Sequence, residues 1–373
     1  MKSNNKILHI DASRLKSGGG ILHLVKLLEY AKYSNFDKII IYTYQNNKFK
    51  IYENEQIKVT SHPFINKTIF HQIIWQKFLL AKNLNKKDLL FTIDSTSFCR
   101  FKNTVILNQD IIGFQEGSLK YFTIVTKFYS FLKYLTAKSA IKNSLAVIFT
   151  TKYAQSEVFK KTGILDNSIV IPHGIDGENL NRKINFNISN DHLKIIYVSP
   201  ILDYKNHQFL ISALDKFDTV KKVEVFFVGG GNPKLIKKLK KKSINNNGNL
   251  FHFMGFLKSE EVYDLIKECD IAFFLSSVEC FGITLLEYMR IGMPIICSSQ
   301  SSLPETLGES GVLVNPFNED SILEETINLT KNKKLREILA EKAFNRSLNY
   351  NWAITIEETF KFLDKSYEKA LNN

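Results

Sequence analysis

The stretch from Asp270 to Ser299 reads DIAFFLSSVECFGITLLEYMRIGMPIICSS, and its punctuation sets the fold. An unbroken apolar run, IAFFL, has the length of a strand buried on both faces. A short polar loop carrying Glu279 follows, and apolar residues then recur at helical spacing from about Gly282. Gly292 and Pro294 stop that helix. A second apolar run, PIICSS, comes next, so the segment is a strand, a helix and a strand in the order that builds a parallel sheet.

Ligands of open α/β sheets gather at the carboxyl ends of the strands, which is where Glu279 falls. The first amides of the next helix, at Gly282, Ile283 and Thr284, have no acceptor inside the helix and favour an anionic or oxygen-rich ligand. Glu287 lies about one turn further on, and helical side chains lean toward the N-terminus, so it reaches for the same mouth. The plainer reading makes both glutamates solvated residues of an amphipathic helix, with Leu285, Leu286 and Met289 as its core face. Spacing alone leaves the two readings level.

The same alternation extends in both directions. The first half opens with the strand KILHIDAS, the glycines Gly18, Gly19 and Gly20, and the helix ILHLVKLLEYAK. Further strands are expected at DKIIIYTY, DLLFTID, NTVILN and LAVIFT, with helices at IFHQIIWQKFLLAKNL and across 119–142. Pro, Gly and polar residues interrupt the pattern from Val170 to Asn179. Beyond His192 come the strands KIIYVSP, VEVFFVGGG, LFHFMGF, DIAFFLSS, PIICSS and GVLVNP. The fold expected is α/β: two Rossmann-like, doubly wound parallel-sheet domains facing across a cleft, residues 1–185 and 186–352. A C-terminal helix over about 353–373 is expected to return to the first domain. A chain of 373 residues with 44% hydrophobic content has enough material for two such cores.

Lys205 follows the first strand of the second half, where it would meet a diphosphate as a mobile point charge, and Asn206 is placed to cap the helix behind it. A surface lysine is the plainer reading. Gly18 to Gly20 would let a backbone approach a phosphate closely, although His23 stands where a dinucleotide fingerprint needs glycine. Gly229 to Gly231 read as a turn. His173, between Pro172 and Gly174, reads as a hinge or cleft residue. Cys280 reads as a small space-filling side chain, and the four cysteines are scattered, as suits reduced thiols.

Taken together, E-x7-E with its F-G-x-T core and G-x-P, the GGG loop, IPHGID, YKNH, VGGG, MGF and LPETLGESGVLVNP resemble the retaining GT-B glycosyltransferases of family four (glycosyl transferases group 1). The resemblance runs over nearly the whole chain. It implies transfer of a sugar from a nucleoside diphosphate, of UDP or GDP type, to a glycan or lipid-linked acceptor in bacterial envelope polysaccharide synthesis. Implied catalytic residues are Glu279 and Lys205. Implied donor contacts are Gly19, Gly20, Gly255, Phe256, Phe281, Gly282, Ile283, Thr284 and Glu287. The chain departs from the family twice: Pro200 stands near the position of the usual phosphate arginine, and Asn108, a weak candidate for a sugar or acceptor contact, stands with Asp110 in place of a first-domain histidine. An epimerase of the same form, or a catalytically silent sugar-binding or assembly protein, are the alternatives.

The sequence contains no H-E-x-x-H and no D-x-D, so neither a metal nor a cofactor is expected. The net charge of +13 invites a nucleic-acid or anionic-membrane partner, although the basic residues are spread along the chain, as an abundance of Lys, Asn and Ile alone would give. No nucleic-acid module is found, so nucleic acid is not expected. Aromatics interleaved with lysines across 119–142 read either as a helix lying on an anionic membrane or as a core helix with solvated lysines. The N-terminus lacks a signal-peptide pattern and no apolar run is long enough to span a bilayer, so the expected location is the cytoplasm, peripheral to the inner face of the membrane.

Overall fold

The computed structural model describes residues 5–15, 18–43, 48–176, 182–189, 191–217, 222–244 and 248–372. Part of the interrupted segment that follows Val170, residues 177–181, lies outside the described residues. The chain divides into two compact units. The first comprises residues 1–119, 123–174 and 352–373, and the second comprises residues 120–122 and 175–351.

Among the described residues, seven strands form the first unit's sheet: β1 (Ile7–Asp11), β2 (Lys38–Tyr42), β3 (Ile57–Thr60), β4 (Leu89–Thr92), β5 (Thr104–Asn108), β6 (Ala146–Phe149) and β7 (Ser168–Val170). Their order is β3-β2-β1-β4-β5-β6-β7 and every pairing is parallel. The strands β3 and β7 are absent from the sequence-based reading. Both are edges, short and only partly covered, so they lack the apolar run that marks a strand buried on two faces.

Each face of this sheet has its own cover. Leu24 and Leu27 of the helix Gly19–Glu29, with Trp352, Ile356 and Phe360 of the helix Trp352–Leu371, pack with Leu8, Ile10, Phe91 and Leu107. On the other face Trp75 and Leu80 meet Leu90, while Ala137 and Ile141 of the helix Ile124–Lys142 meet Ile106 and Val147. The registers Leu90↔Thr104 and Ile106↔Val147 put Leu90, Ile106 and Val147 on this one side. Of the two readings of 119–142, the core-helix one fits only the C-terminal part of the helix. Only Ala137 and Ile141 of Ile124–Lys142 are buried.

The second unit holds β8 (His192–Val198), β9 (Lys222–Val228), β10 (Leu250–Gly255), β11 (Ile271–Phe274), β12 (Ile295–Ser298) and β13 (Val312–Val314). Their order is β10-β9-β8-β11-β12-β13, again wholly parallel. All of β11 and β12 is buried, as their unbroken apolar runs require. The order of connection reverses between β8 and β11. At such a switch point the loops leaving two neighbouring strands diverge and open a crevice at their carboxyl ends.

Gly229 and Gly231 are more than a turn. A Cβ on Gly229 would run into the carbonyl oxygen of Ser199, and one on Gly231 into that of Ile201. The amide of Ile201 donates to the carbonyl of Gly230 at 2.7 Å, and that of Asn232 returns a bond to Ile201 at 3.1 Å. The glycines let the loops leaving β8 and β9 lie against each other, which fixes the start of the loop that carries Lys205.

Candidate active site

Lys205 and Glu279 leave the two strands of the switch point, and they meet. The Lys205 ammonium donates to Glu279 Oε1. Lys205 is buried, with its charge 5.3 Å from the centre of the Phe274 ring and 5.4 Å from that of Tyr204. Placing a long cation there requires a fixed backbone. The Tyr197 hydroxyl donates to the Lys205 carbonyl at 2.6 Å and accepts from the Leu275 amide at 3.1 Å, tying the end of β11 to the lysine loop.

Asn206 begins the helix His207–Asp215, but its side chain does not cap that helix as expected. With φ at 60° the residue turns its amide nitrogen across to the Leu275 carbonyl, 2.7 Å away, and to Ser277 Oγ. The left-handed backbone redirects the side chain from its own helix to the neighbouring strand. Glu279 is held by a matching device. Its amide donates to Ser301 Oγ at 2.7 Å, and its carbonyl accepts from Ser301 and Ser302 at 2.7 and 2.9 Å. Ser301 also has a positive φ, 66°. Asn206 and Ser301 are the non-glycine residues with left-handed backbone among those described, and both brace this ion pair. Strain of this kind costs on the order of 1–3 kcal/mol and persists where the surroundings enforce it.

The helix Ile283–Ile291 begins just beyond Glu279, after Gly282 with φ at 94°. A side chain at Gly282 would also press on Leu303. Phe281 is buried, its ring edge-on to Tyr350 with centroids 5.7 Å apart, so its part in the loop is to anchor it. Ile283 and Thr284 are half-buried at the helix start. Glu287, half-buried one turn along, accepts from the Tyr263 hydroxyl at 3.2 Å. Burial pushes its carboxyl up to about 7, and the Tyr263 bond draws it down in part. At the end of β10, Gly255 has φ at 68° and Phe256 stands 86% exposed with its ring over Gly230.

The remaining candidates belong to the first unit. Gly18, with φ at 83°, precedes Gly19 and Gly20 in the first turn of Gly19–Glu29, and Gly20 lies against Leu15 and Ile93. Asn108 ends β5 fully buried; its side-chain nitrogen donates to the Asp110 carbonyl at 3.2 Å and its oxygen has no partner. Asp110 itself accepts from Lys133 at 2.6 Å. His173, expected at a hinge or cleft, is buried one residue before the boundary between the units, its ring 5.5 Å from that of His23 and 5.6 Å from that of Trp352. Tyr197, Tyr263 and Ser301 are missed by sequence reasoning. Their roles depend on strand neighbours for Tyr197, on helix packing for Tyr263 and on a backbone angle for Ser301, none of which leaves a local pattern.

Comparison with known proteins bears directly on the unit that holds this geometry. Residues 179–346 match the family described as glycosyl transferases group 1. The match takes in 168 of the 373 residues, just under half of the chain. An uncharacterized glycosyltransferase of Methanocaldococcus jannaschii is 25% identical over 217 residues, 58% of each chain. Another relative is the N-acetylgalactosamine-N,N'-diacetylbacillosaminyl-diphospho-undecaprenol 4-alpha-N-acetylgalactosaminyltransferase of Campylobacter jejuni. It is 26% identical over 244 residues, covering 65% of this chain and 64% of that protein. The chain thus spans somewhat under two thirds of the length of both. The solved structure of Anabaena HepE in complex with UDP and glucose superposes with a TM-score of 0.71 at 18% identity, covering 95% of this chain and 98% of that one. The two-unit fold is therefore that of GT-B glycosyltransferases. Lys205, Glu279, the N-terminus of Ile283–Ile291 and Glu287 all lie inside the matched stretch; Gly19, Gly20 and Asn108 lie outside it.

Proposed function

We propose that the protein is a retaining, metal-independent glycosyltransferase whose nucleoside-diphosphate sugar donor, of UDP or GDP type, binds the second unit. The observation that carries this reading is the Lys205–Glu279 pair at the β8/β11 switch point, directly before the N-terminus of Ile283–Ile291. Breaking the bond from the sugar's anomeric carbon leaves negative charge on the diphosphate and positive charge on the ring. Lys205 leaves Glu279 for the diphosphate, and the amides of Gly282, Ile283 and Thr284 add fixed dipoles on the same side. These groups supply what a metal ion supplies elsewhere. Glu279, released from the lysine, orients the sugar hydroxyls and tolerates the ring's positive character. Glu287, steadied by Tyr263, takes the ribose, while Gly255 and Phe256 border the nucleotide. The departing phosphate oxygen receives the acceptor's proton, so no first-unit base is required.

The acceptor is a glycan or lipid-linked glycan of bacterial envelope polysaccharide synthesis. A relative whose name includes a diphospho-undecaprenol acceptor supports this class. The protein works in the cytoplasm, in peripheral contact with the anionic inner face of the membrane. No described helix is long and apolar enough to cross a bilayer.

The test is incubation with UDP- and GDP-sugars, with and without a lipid-linked glycan acceptor. Acceptor-dependent release of nucleotide, lost in Glu279→Ala and Lys205→Ala, is expected. A folded protein that neither binds nor turns over any donor would refute the reading, and donor conversion without acceptor would replace it with an epimerase.

A further inference from the structure

Two helices on one face of the first sheet leave most of their apolar surface in water. In Ile124–Lys142 the residues Ile124, Phe128, Phe131 and Leu135 are four, three and four positions apart, which sets them on a single stripe. All are exposed: Ile124 by 90% and Phe128 by 60%, with Val125 and Tyr129 open beside them. The helical stretch from Ile69 to Asn83 behaves alike. Trp75 and Leu80 reach the core, while Ile69, Phe70 and Phe78 stand exposed by more than half. The two stretches cover the same side of the sheet, over β4 and over β5 and β6 respectively.

Their charge is one-sided. Neither stretch contains an Asp or Glu, whereas Lys77, Lys82, Lys127, Lys138 and Lys142 accompany the apolar residues. Lys133 points the other way and is held by Asp110 at the end of β5, which fastens the long helix to the sheet. A soluble face seldom carries so many aromatics together unless something covers it. Neither stretch has the length and apolarity to cross a bilayer, so insertion can only be lateral.

We infer that the Ile69–Asn83 and Ile124–Lys142 helices form one interfacial docking face, which seats the first unit on a bilayer of anionic lipids with Phe70, Phe78, Phe128 and Phe131 in the acyl boundary and the lysines at the headgroups. Charge complementarity selects this occupant: a second copy of the chain would bring lysine against lysine. The inference rests on the membrane contact proposed above and specifies its surface; it is independent of the donor site. Apolar insertion with cationic flanks requires both terms, so affinity depends on anionic lipid yet persists in part in high salt.

The experiment is flotation with vesicles of phosphatidylcholine alone and with 30% phosphatidylglycerol, at about 0.1 and about 0.5 M salt, where exposed charges are progressively screened. Wild type is expected on the anionic vesicles, weakened but not released by salt. The pairs Phe70→Ser with Phe78→Ser, and Phe128→Ser with Phe131→Ser, are each expected to lower partition about tenfold, in keeping with the loss of buried aromatic area. UDP-sugar binding by every variant should equal that of wild type, which separates failure of this proposal from failure of the donor-site reading. Absence of wild-type binding would overturn the inference. So would loss confined to one helix, or a concentration-dependent dimer that the same substitutions dissolve.

Discussion

Lys205 and Glu279 neutralise each other in a buried setting, so neither can be removed without exposing the other. On the proposed donor site, Lys205→Ala is expected to lower the transfer rate by about 10²-fold or more, since a developing diphosphate charge would lose its nearest cation. The same change should cost about 1–3 kcal/mol of stability in urea denaturation, because a partly buried carboxylate is left without its donor. The double change Lys205→Ala with Glu279→Ala should cost less stability than the two single changes added. Glu287 supplies a pH signature. Its carboxyl titrates near 7 when folded and near 4.5 when free, so the folded state holds a proton that the unfolded chain releases in between. That contribution is full below about pH 4.5 and is lost as pH rises to about 7. Glu287→Gln is therefore expected to flatten this part of the stability profile and to gain stability relative to wild type above pH 7, read from denaturation midpoints across pH 4.5–8.

Loops rather than helices set the geometry at the scale of elements. Gly229→Ala and Gly231→Ala would each drive a methyl into a carbonyl of Ser199–Ile201, with an expected cost of about 1–3 kcal/mol and weaker donor binding as the Lys205 loop shifts. Circular dichroism melts with UDP titration would show both effects. Strands buried on two faces were legible because their apolar runs are unbroken: IAFF of β11 and IICS of β12 stand where the pattern put them. The edges β3 and β7 were not, because a strand with one wet side blends with its polar neighbours. Glu279 and Lys205 were legible as loop residues after strands, but their pairing follows from β8 and β11 being neighbours, a fact of strand order. Asn206 misled for a related reason: a residue of capping type at a helix start is an ordinary cap only while its φ is negative.

Across the whole molecule, the first unit's core is completed from a distance. Trp352 packs against His23 and His173, and burial holds the latter's imidazole down to about 4, with His23 also well below its usual range. Both rings are neutral when folded but bind protons once unfolded as pH falls below about 6.5, so their contribution is present above that value and lost through the range toward about 4. Acid unfolding is expected to begin in the first unit, with Trp352 fluorescence changing ahead of UDP release from the second. Trp352→Ala should cost the first unit about 3–5 kcal/mol, read from its denaturation midpoint.

The helix Trp352–Leu371 also has a temporal consequence. During synthesis the sheet residues of the first unit emerge early, but the part of one sheet face beside the helix Gly19–Glu29 stays uncovered until the ribosome has released the stretch beyond residue 352. The second unit, nearly continuous from Ile175 to Asn351, is available to fold before then. The half of the molecule translated first is therefore the half that finishes last, so a nascent chain holds one completed core while the other still waits for its final helix.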